Sequence, residues 1–415
     1  MGGRVPSTGM KPVLFRALAL ACACLGAGVS ASAQEPDDPF ETARFRLGPI
    51  RFTPMLEITS VGHDSNVFNE AEDPKSDTTA AFGPTVQLWI RPAGTRLSAR
   101  VGGQYLYFRE FANERAWNTR NELRWEVPLS RLTPFVEGGF INSQERQGYE
   151  IDARARRQDD FLAVGSALRV SGKTSFVVSF RRGNVEYDED ASFLDSSLGV
   201  ALNRREDLTR VQFRYALTPL TTLVVDTDVA RDRFELSPVR DADSIRVLPG
   251  FELNPLALIS GRVFVGFRQF APLSADVPEY RGIVASVDAT YILGGGTRLQ
   301  FKVDRDVAYS YEAQRPYYAL LDTGVTVTQR VTRAWELVGR ASRQALAYRQ
   351  LKSLGVEASA EDRGYIYGGG IGYRLGETVR LGADANYYTR RSEIEGRRDY
   401  EGLRVFGSVT YGIRQ

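Results

Sequence analysis

The sequence predicts an all-β fold, a transmembrane antiparallel up-and-down β-barrel of about 18 strands of the outer-membrane type. Three observations carry that prediction. Long runs alternate apolar and polar residues with a period of two, short turn-like connections alternate with longer charged ones, and the chain opens on an export signal.

The export signal bounds the rest. Arg4, Lys11 and Arg16 flank an apolar run from Ala17 to Val29, and Ala31-Ser32-Ala33 supplies the small-residue pattern that signal peptidase cleaves. Residues 1–33 therefore read as a signal peptide, 34–45, with Pro36 and Pro39, as a periplasmic leader, and 46–415 as the barrel. Both cysteines, Cys22 and Cys24, fall in the signal, in boxes poorly shaped for lipoprotein anchoring. The mature chain is then expected to lack disulfides, metal thiolates and a thiol nucleophile. With His63 as the single histidine, neither a metal nor a cofactor is expected. Removing three basic residues turns the formal net charge of +2 into about −1, which gives no basic excess for nucleic acid. Beyond the signal no stretch approaches the ~18 apolar residues of a membrane helix, so any span is made of strands.

From about Arg51 onward the connections are of two kinds. Tight turns fall at Pro92–Thr95, Ser130-Arg131, Ser171–Lys173, Thr218–Leu220, Asn254–Leu256, Gly294–Gly296, Val331-Thr332 and Gly376-Glu377. Longer charged segments fall around Asn69–Asp77, Ala112–Ala116, Glu145–Gln158, Asp188–Arg204, Leu236–Ala242, Pro272–Pro278, Glu312–Arg315, Leu351–Asp362 and Ser392–Asp399. Eight turns alternating with nine loops join 18 strands and put both termini on the periplasmic side, as an outer-membrane barrel requires.

The two faces are legible within each run. Leu223, Val225 and Val229 oppose Asp226, Asp228 and Asp232, while Val211, Phe213 and Tyr215 oppose Arg210, Gln212 and Arg214. A lysine or arginine on the lipid face near the midplane costs about 2–4 kcal/mol, so the charged parity is expected to face the lumen. The candidate lumen residues are Arg210, Arg214, Arg262, Arg268, Arg298, Lys302, Arg340, Arg380 and Arg404 with Asp226, Asp228, Asp288, Asp304 and Asp384. They fit either a positive wall facing anionic polymers or a mixed wall laced with internal salt bridges. Aromatics near strand ends, Tyr105, Tyr107, Phe108, Tyr317, Tyr318, Tyr387 and Tyr388, suggest an interfacial girdle. Acidic loops such as Asp188-Glu189-Asp190 read as solvated, with calcium or lipopolysaccharide bridged by divalent ions as the other reading.

The sharpest catalytic candidate is Gly62-His63-Asp64-Ser65-Asn66, which resembles the His-x-Ser-Asn element of outer-membrane phospholipases and lipid A deacylases. Residues two apart share a strand face, so a histidine base and a serine nucleophile can meet. If Leu56 and Ile58 face lipid, His63 and Ser65 fall on the lumen side, unless a bulge at Gly62 resets the parity. A second resemblance covers more of the chain. Pro49–Ile58 followed by His63-Asp64-Ser65-Asn66-Val67-Phe68 resembles the opening of the putative beta-barrel porin 2 family. The resemblance implies an outer-membrane conduit or a partner of exopolysaccharide or capsule export proteins, alongside the barrel assembly machinery, outer-membrane lipids and lipopolysaccharide. A third reading is a structural barrel anchoring an export complex through Gln34–Phe45. In the Asp-Ser-Asn element, short polar side chains are also expected to cap their own backbone. Leu403–Arg414 is expected to close the barrel against the strand near Arg51, with Tyr411 as the assembly signal in place of a terminal aromatic.

Overall fold

The computed structural model describes residues 38–146, 148–255, 257–355, 360–394 and 399–412. The proposed signal peptide and the last three residues lie outside that range. The barrel strands are β1 (Ile50–Asp64), β2 (Asp77–Ile90), β3 (Arg96–Phe108), β4 (Ala116–Glu126), β5 (Leu132–Arg146) and β6 (Arg154–Arg169). They continue as β7 (Thr174–Tyr187), β8 (Arg204–Thr218), β9 (Thr221–Phe234), β10 (Ala242–Leu253), β11 (Ile259–Pro272) and β12 (Tyr280–Leu293). The last six are β13 (Thr297–Tyr309), β14 (Tyr317–Arg330), β15 (Trp335–Arg349), β16 (Glu361–Leu375), β17 (Val379–Ser392) and β18 (Tyr400–Tyr411). Every strand pairs antiparallel with its neighbour in sequence, and the eight tight turns and nine loops fall where alternation placed them. Strand lengths run from 11 to 16 residues, longer than the five or six typical of soluble sheets and right for tilted membrane strands.

Closure is direct. β18 pairs with β1 from Leu56↔Tyr411 to Asp64↔Arg404, so no strand edge is left bare along that stretch. The pairing slips between Ile58 and Val61, and on the other side between Thr59 and Gly62, where Ser60 takes a left-handed φ of 55°. This bulge inverts the face of everything after it. Below Leu56 the edge of β1 is covered by the leader. Phe45–Leu47 forms a short strand that turns at Gly48 and pairs back onto Ile50–Phe52. Ahead of it, Asp38 binds Arg91, and the Phe40 ring lies under the guanidinium groups of Arg91 and Arg51 at 4.3 and 5.2 Å. The described part of the leader is thus taken up by its own barrel.

One parity of each strand is apolar and exposed: Val178 and Phe180 on β7, Val247 and Phe251 on β10, Val265 and Phe267 on β11, Leu403 and Val405 on β18. The other parity reaches across non-adjacent strands, as when Arg246 on β10 donates to Asp306 on β13 at 2.7 Å. Such a contact requires the inside of a closed sheet. The expected aromatic girdle is corrected in part. Tyr105, Tyr107 and Tyr387 are exposed, but Phe108, Tyr317, Tyr318 and Tyr388 are buried, because the loops fold over the strand ends that carry them.

Candidate functional site

The inner wall is a network of short ion pairs. Arg210 meets Asp228 at 2.7 Å and lies 3.4 Å from Asp226, whose facing oxygen nonetheless accepts no hydrogen bond. Arg246 also meets Asp228 at 3.1 Å, and Arg246 and Arg268 each meet Asp306 at 2.7 Å. Arg246 and Arg268 are directly opposite in register, a like-charge pair that would repel if Asp306 did not bind both. Arg214 meets Glu252 at 3.0 Å, Lys302 meets Asp322 at 2.8 Å and Asp304 at 3.5 Å, and Arg404 meets Asp64 at 2.9 Å.

Two pairs step over a strand. Arg340 on β15 reaches Asp384 on β17, and Glu336 on β15 holds Arg374 at 2.8 Å and Arg380 on β17 at 2.5 Å. The strand beneath is β16, whose inward positions Gly368, Gly370 and Gly372 leave the room. A Cβ at Gly370 or Gly372 would collide with Asp384, or with Glu336 and Arg380.

Of the candidate lumen cations, Arg262 and Arg298 make no ion pair among the described residues, and Asp288 is likewise unpaired. Arg262 and Asp288, neighbours in register, line a recess of about 320 Å³ with Glu252 and Thr290 near the turn end. Sequence reasoning missed the partners Arg246, Asp306, Asp322, Glu252, Glu336 and Arg374. Their parity could have found them, but which wall residues meet depends on register across several strands.

Above this wall the loops turn inward. Residues 148–153 cross to the far side, where Tyr149 donates to Asp322 on β14 at 2.6 Å. Burial first, and then the Asp322 carboxylate, push the Tyr149 phenol up to about 12, so it remains a donor at neutral pH. Glu150, 2% exposed, accepts from Ser310 at 2.6 Å. Arg390 on β17 grips the same loop through the Tyr149 carbonyl at 3.0 Å, the Glu150 carbonyl at 3.2 Å and Asp152 at 2.8 Å, while also binding Asp362, which is fully buried. Arg240, from the loop after β9, donates to the carbonyls of Ser310, Tyr311 and Glu312 at 2.8–3.0 Å. Burial lowers its guanidinium to about 10, still charged at neutral pH.

The loop after β7 carries a small hairpin and an α-helix, Leu198–Leu202, that pack Phe193, Leu198 and Leu202 against Ile151 and Tyr311. Buried apolar contacts joined by satisfied polar ones make this a folded constriction. In sequence these segments look like solvated charge.

The His63 region needs correcting. The bulge at Ser60 puts His63 and Ser65 outward: His63 is exposed and in register with Val405, which is exposed on the apolar face. Asp64 turns inward instead, where it is buried. No hydrogen bond joins His63 to Ser65 among the described residues, and the Ser65 hydroxyl accepts the Leu403 N–H at 2.8 Å. The expected turn chemistry is present. Asp64 accepts the Asn66 N–H at 3.0 Å, and Asn66 caps the Glu70 N–H at 2.8 Å.

A closed 18-strand barrel with an apolar exterior and a charged interior defines an outer-membrane β-barrel protein of Gram-negative bacteria, porin-like in architecture. The family model described as "Putative beta-barrel porin 2" matches residues 38–412, and the chain belongs to that family. No curated protein matches it. Among solved structures it is similar to a BenF-like porin from Pseudomonas fluorescens Pf-5, at 12% identity over 88% of this chain and 100% of that one, with a TM-score of 0.50. It is also similar to Pseudomonas aeruginosa OccK2 (OpdF), solved with glucuronate, at 11% identity over 87% of this chain and 98% of that one, TM-score 0.47. A bacterial polysaccharide outer membrane secretin is similar at 10% identity over 87% and 99%, TM-score 0.35. These likenesses are of fold.

Proposed function

We propose that the chain is a non-catalytic conduit for polar solutes, with secreted polysaccharide as its cargo class and the segment 148–153 as its constriction. The observation that carries the conduit is the long-range grip of Arg390 on that segment inside a charged wall. The cargo reading rests on the family's association with polysaccharide export. Paired wall charges hold one another; among the unpaired candidates Arg262 and Arg298 outweigh Asp288 by one positive charge, which biases the path toward anions. In planar bilayers the refolded barrel should conduct, and oligosaccharides should interrupt the current. Arg262→Glu with Arg298→Glu should shift the reversal potential in a salt gradient toward cation preference. A folded barrel that conducts under no condition would remove the conduit.

An outward pair His63 and Ser65 is where a lipid hydrolase would need it, but the absence of a histidine–serine hydrogen bond supports the non-catalytic reading. Ser65→Ala and His63→Ala should leave conductance unchanged, and the wild type should release no fatty acid from phospholipid or lipid A vesicles. Hydrolysis by the wild type that is lost in Ser65→Ala would reverse this.

A further inference from the structure

The outward face of β7–β10 changes character abruptly near the loop end. The rung Phe180, Thr209, Val229 and Ile245, and the rung below it, Val178, Val211, Thr227 and Val247, are dominated by apolar side chains. The next rung up is Arg182, Asp207, Arg231 and Asp243, and above it stand Asn184, Arg205 and Arg233. On β8 the apolar stretch from Thr209 to Leu217 rises about 27 Å along the strand, or roughly 20 Å along the axis at a tilt near 40°, close to the height of a barrel's apolar band. The arginine rungs therefore sit at headgroup level.

Inside the barrel, the opposed arginines Arg246 and Arg268 are bound together by Asp306. Outside, Arg205 and Arg233 are opposed in the same way, but no carboxylate joins them. Arg233 holds Asp243 at 2.6 Å, and Arg182 holds Asp207 through both oxygens at 2.6 and 3.0 Å. That leaves Arg205 and Arg231 exposed with no ion pair among the described residues. On these two rungs of β7–β10, four arginines stand against two aspartates, a surplus of two cations. At the margin, Asp160 on β6 is held by Asn184 at 3.1 Å, and Glu186 stands one rung higher on β7. Like charges opposed on a strand pair are destabilising unless an anion lies between them. Guanidinium forks are well matched to phosphate.

We propose that this patch docks the phosphorylated glucosamine headgroup of lipid A, with Arg205 and Arg231 contacting a phosphate directly and the acyl chains lying on the apolar rungs below. The surplus is cationic, so no bridging divalent ion is needed.

The test uses the purified full barrel in detergent, with bis-phosphorylated lipid A as probe and heat-modifiable gel mobility to confirm folding. Wild type should bind lipid A in EDTA, and Arg205→Ala with Arg231→Ala should weaken binding at least about tenfold. Arg205→Lys with Arg231→Lys should recover much of it. Lipid A stripped of phosphate should bind the wild type no better than intact lipid A binds the alanine variant. Equal binding by folded wild type and alanine variant would overturn the proposal, as would binding lost in EDTA. Inorganic phosphate competing at the same concentration as lipid A would overturn the lipid as ligand, leaving a free-anion site.

Discussion

Arg390→Ala should raise the time-averaged conductance of the barrel by releasing the segment 148–153 from the lumen. Arg390 is the common partner of Asp152, Asp362 and the carbonyls of Tyr149 and Glu150. Removing one member of a buried ion pair costs about 3–5 kcal/mol, because the remaining charge is stranded without water. Here the group that loses its Arg390 partner is Asp362, which also accepts from the hydroxyls of Ser392 and Tyr348. A loss of about 3 kcal/mol on the inserted side shifts the ratio of inserted to released loop by roughly a hundredfold. The β17 strand keeps its ladder on both sides, so the barrel itself should persist. Planar-bilayer recordings on protein with heat-modifiable mobility make the measurement, and a folded variant with an unchanged current would show that the loop is held by something other than Arg390.

Substitutions along β16 should separate sharply by parity. Gly370→Ala and Gly372→Ala should each lower the denaturant midpoint strongly, and together prevent recovery of folded barrel, whereas Gly369→Ala should be nearly silent. The physical difference is what lies over each position. A Cβ at Gly370 meets the Asp384 carboxylate, and one at Gly372 meets Glu336 and Arg380, so the ion pairs that step from β15 to β17 must lift or break. Glu336 is 2% exposed and neutralises both Arg374 and Arg380, so breaking its contacts costs several kcal/mol. Gly369 points outward, and its nearest neighbour is a carbonyl at 3.4 Å, an ordinary contact. Urea titration of the three variants distinguishes this from a general intolerance of side chains in β16, in which all three would fall alike.

The sequence made the barrel legible because alternation is a local property. Val211 against Arg210, and a tight turn at Gly294–Gly296 against a charged run at Asp188–Arg204, need no knowledge of distant residues. The bulge was legible only as an alternative at Gly62, and not at its place. Thr59-Ser60 carries neither glycine nor proline, and Gly62, the residue that invites a bulge, lies just beyond the place where the register slips. That one residue decides whether His63 or Asp64 faces the lumen. The constriction was hidden for a different reason: Glu150 and Asp152 look like solvated loop charge until Ser310, Arg390 and Tyr400, each more than 150 positions away in the chain, are brought to them. Long-range pairing of this kind follows from closure, which no window of sequence contains.

The leader strand has a bearing on how the two ends of the chain find their match. A slip of one residue between β18 and β1 would turn every apolar side chain of β18 inward, and the hydrophobic pattern alone forbids it. A slip of two keeps all faces correct, so the pattern is blind to it. At the turn end Phe45–Leu47 already pairs with Ile50–Phe52, so a β18 displaced toward that end finds the edge of β1 occupied once it passes Pro54. The leader thus bounds the sliding of the seam where composition is blind to it.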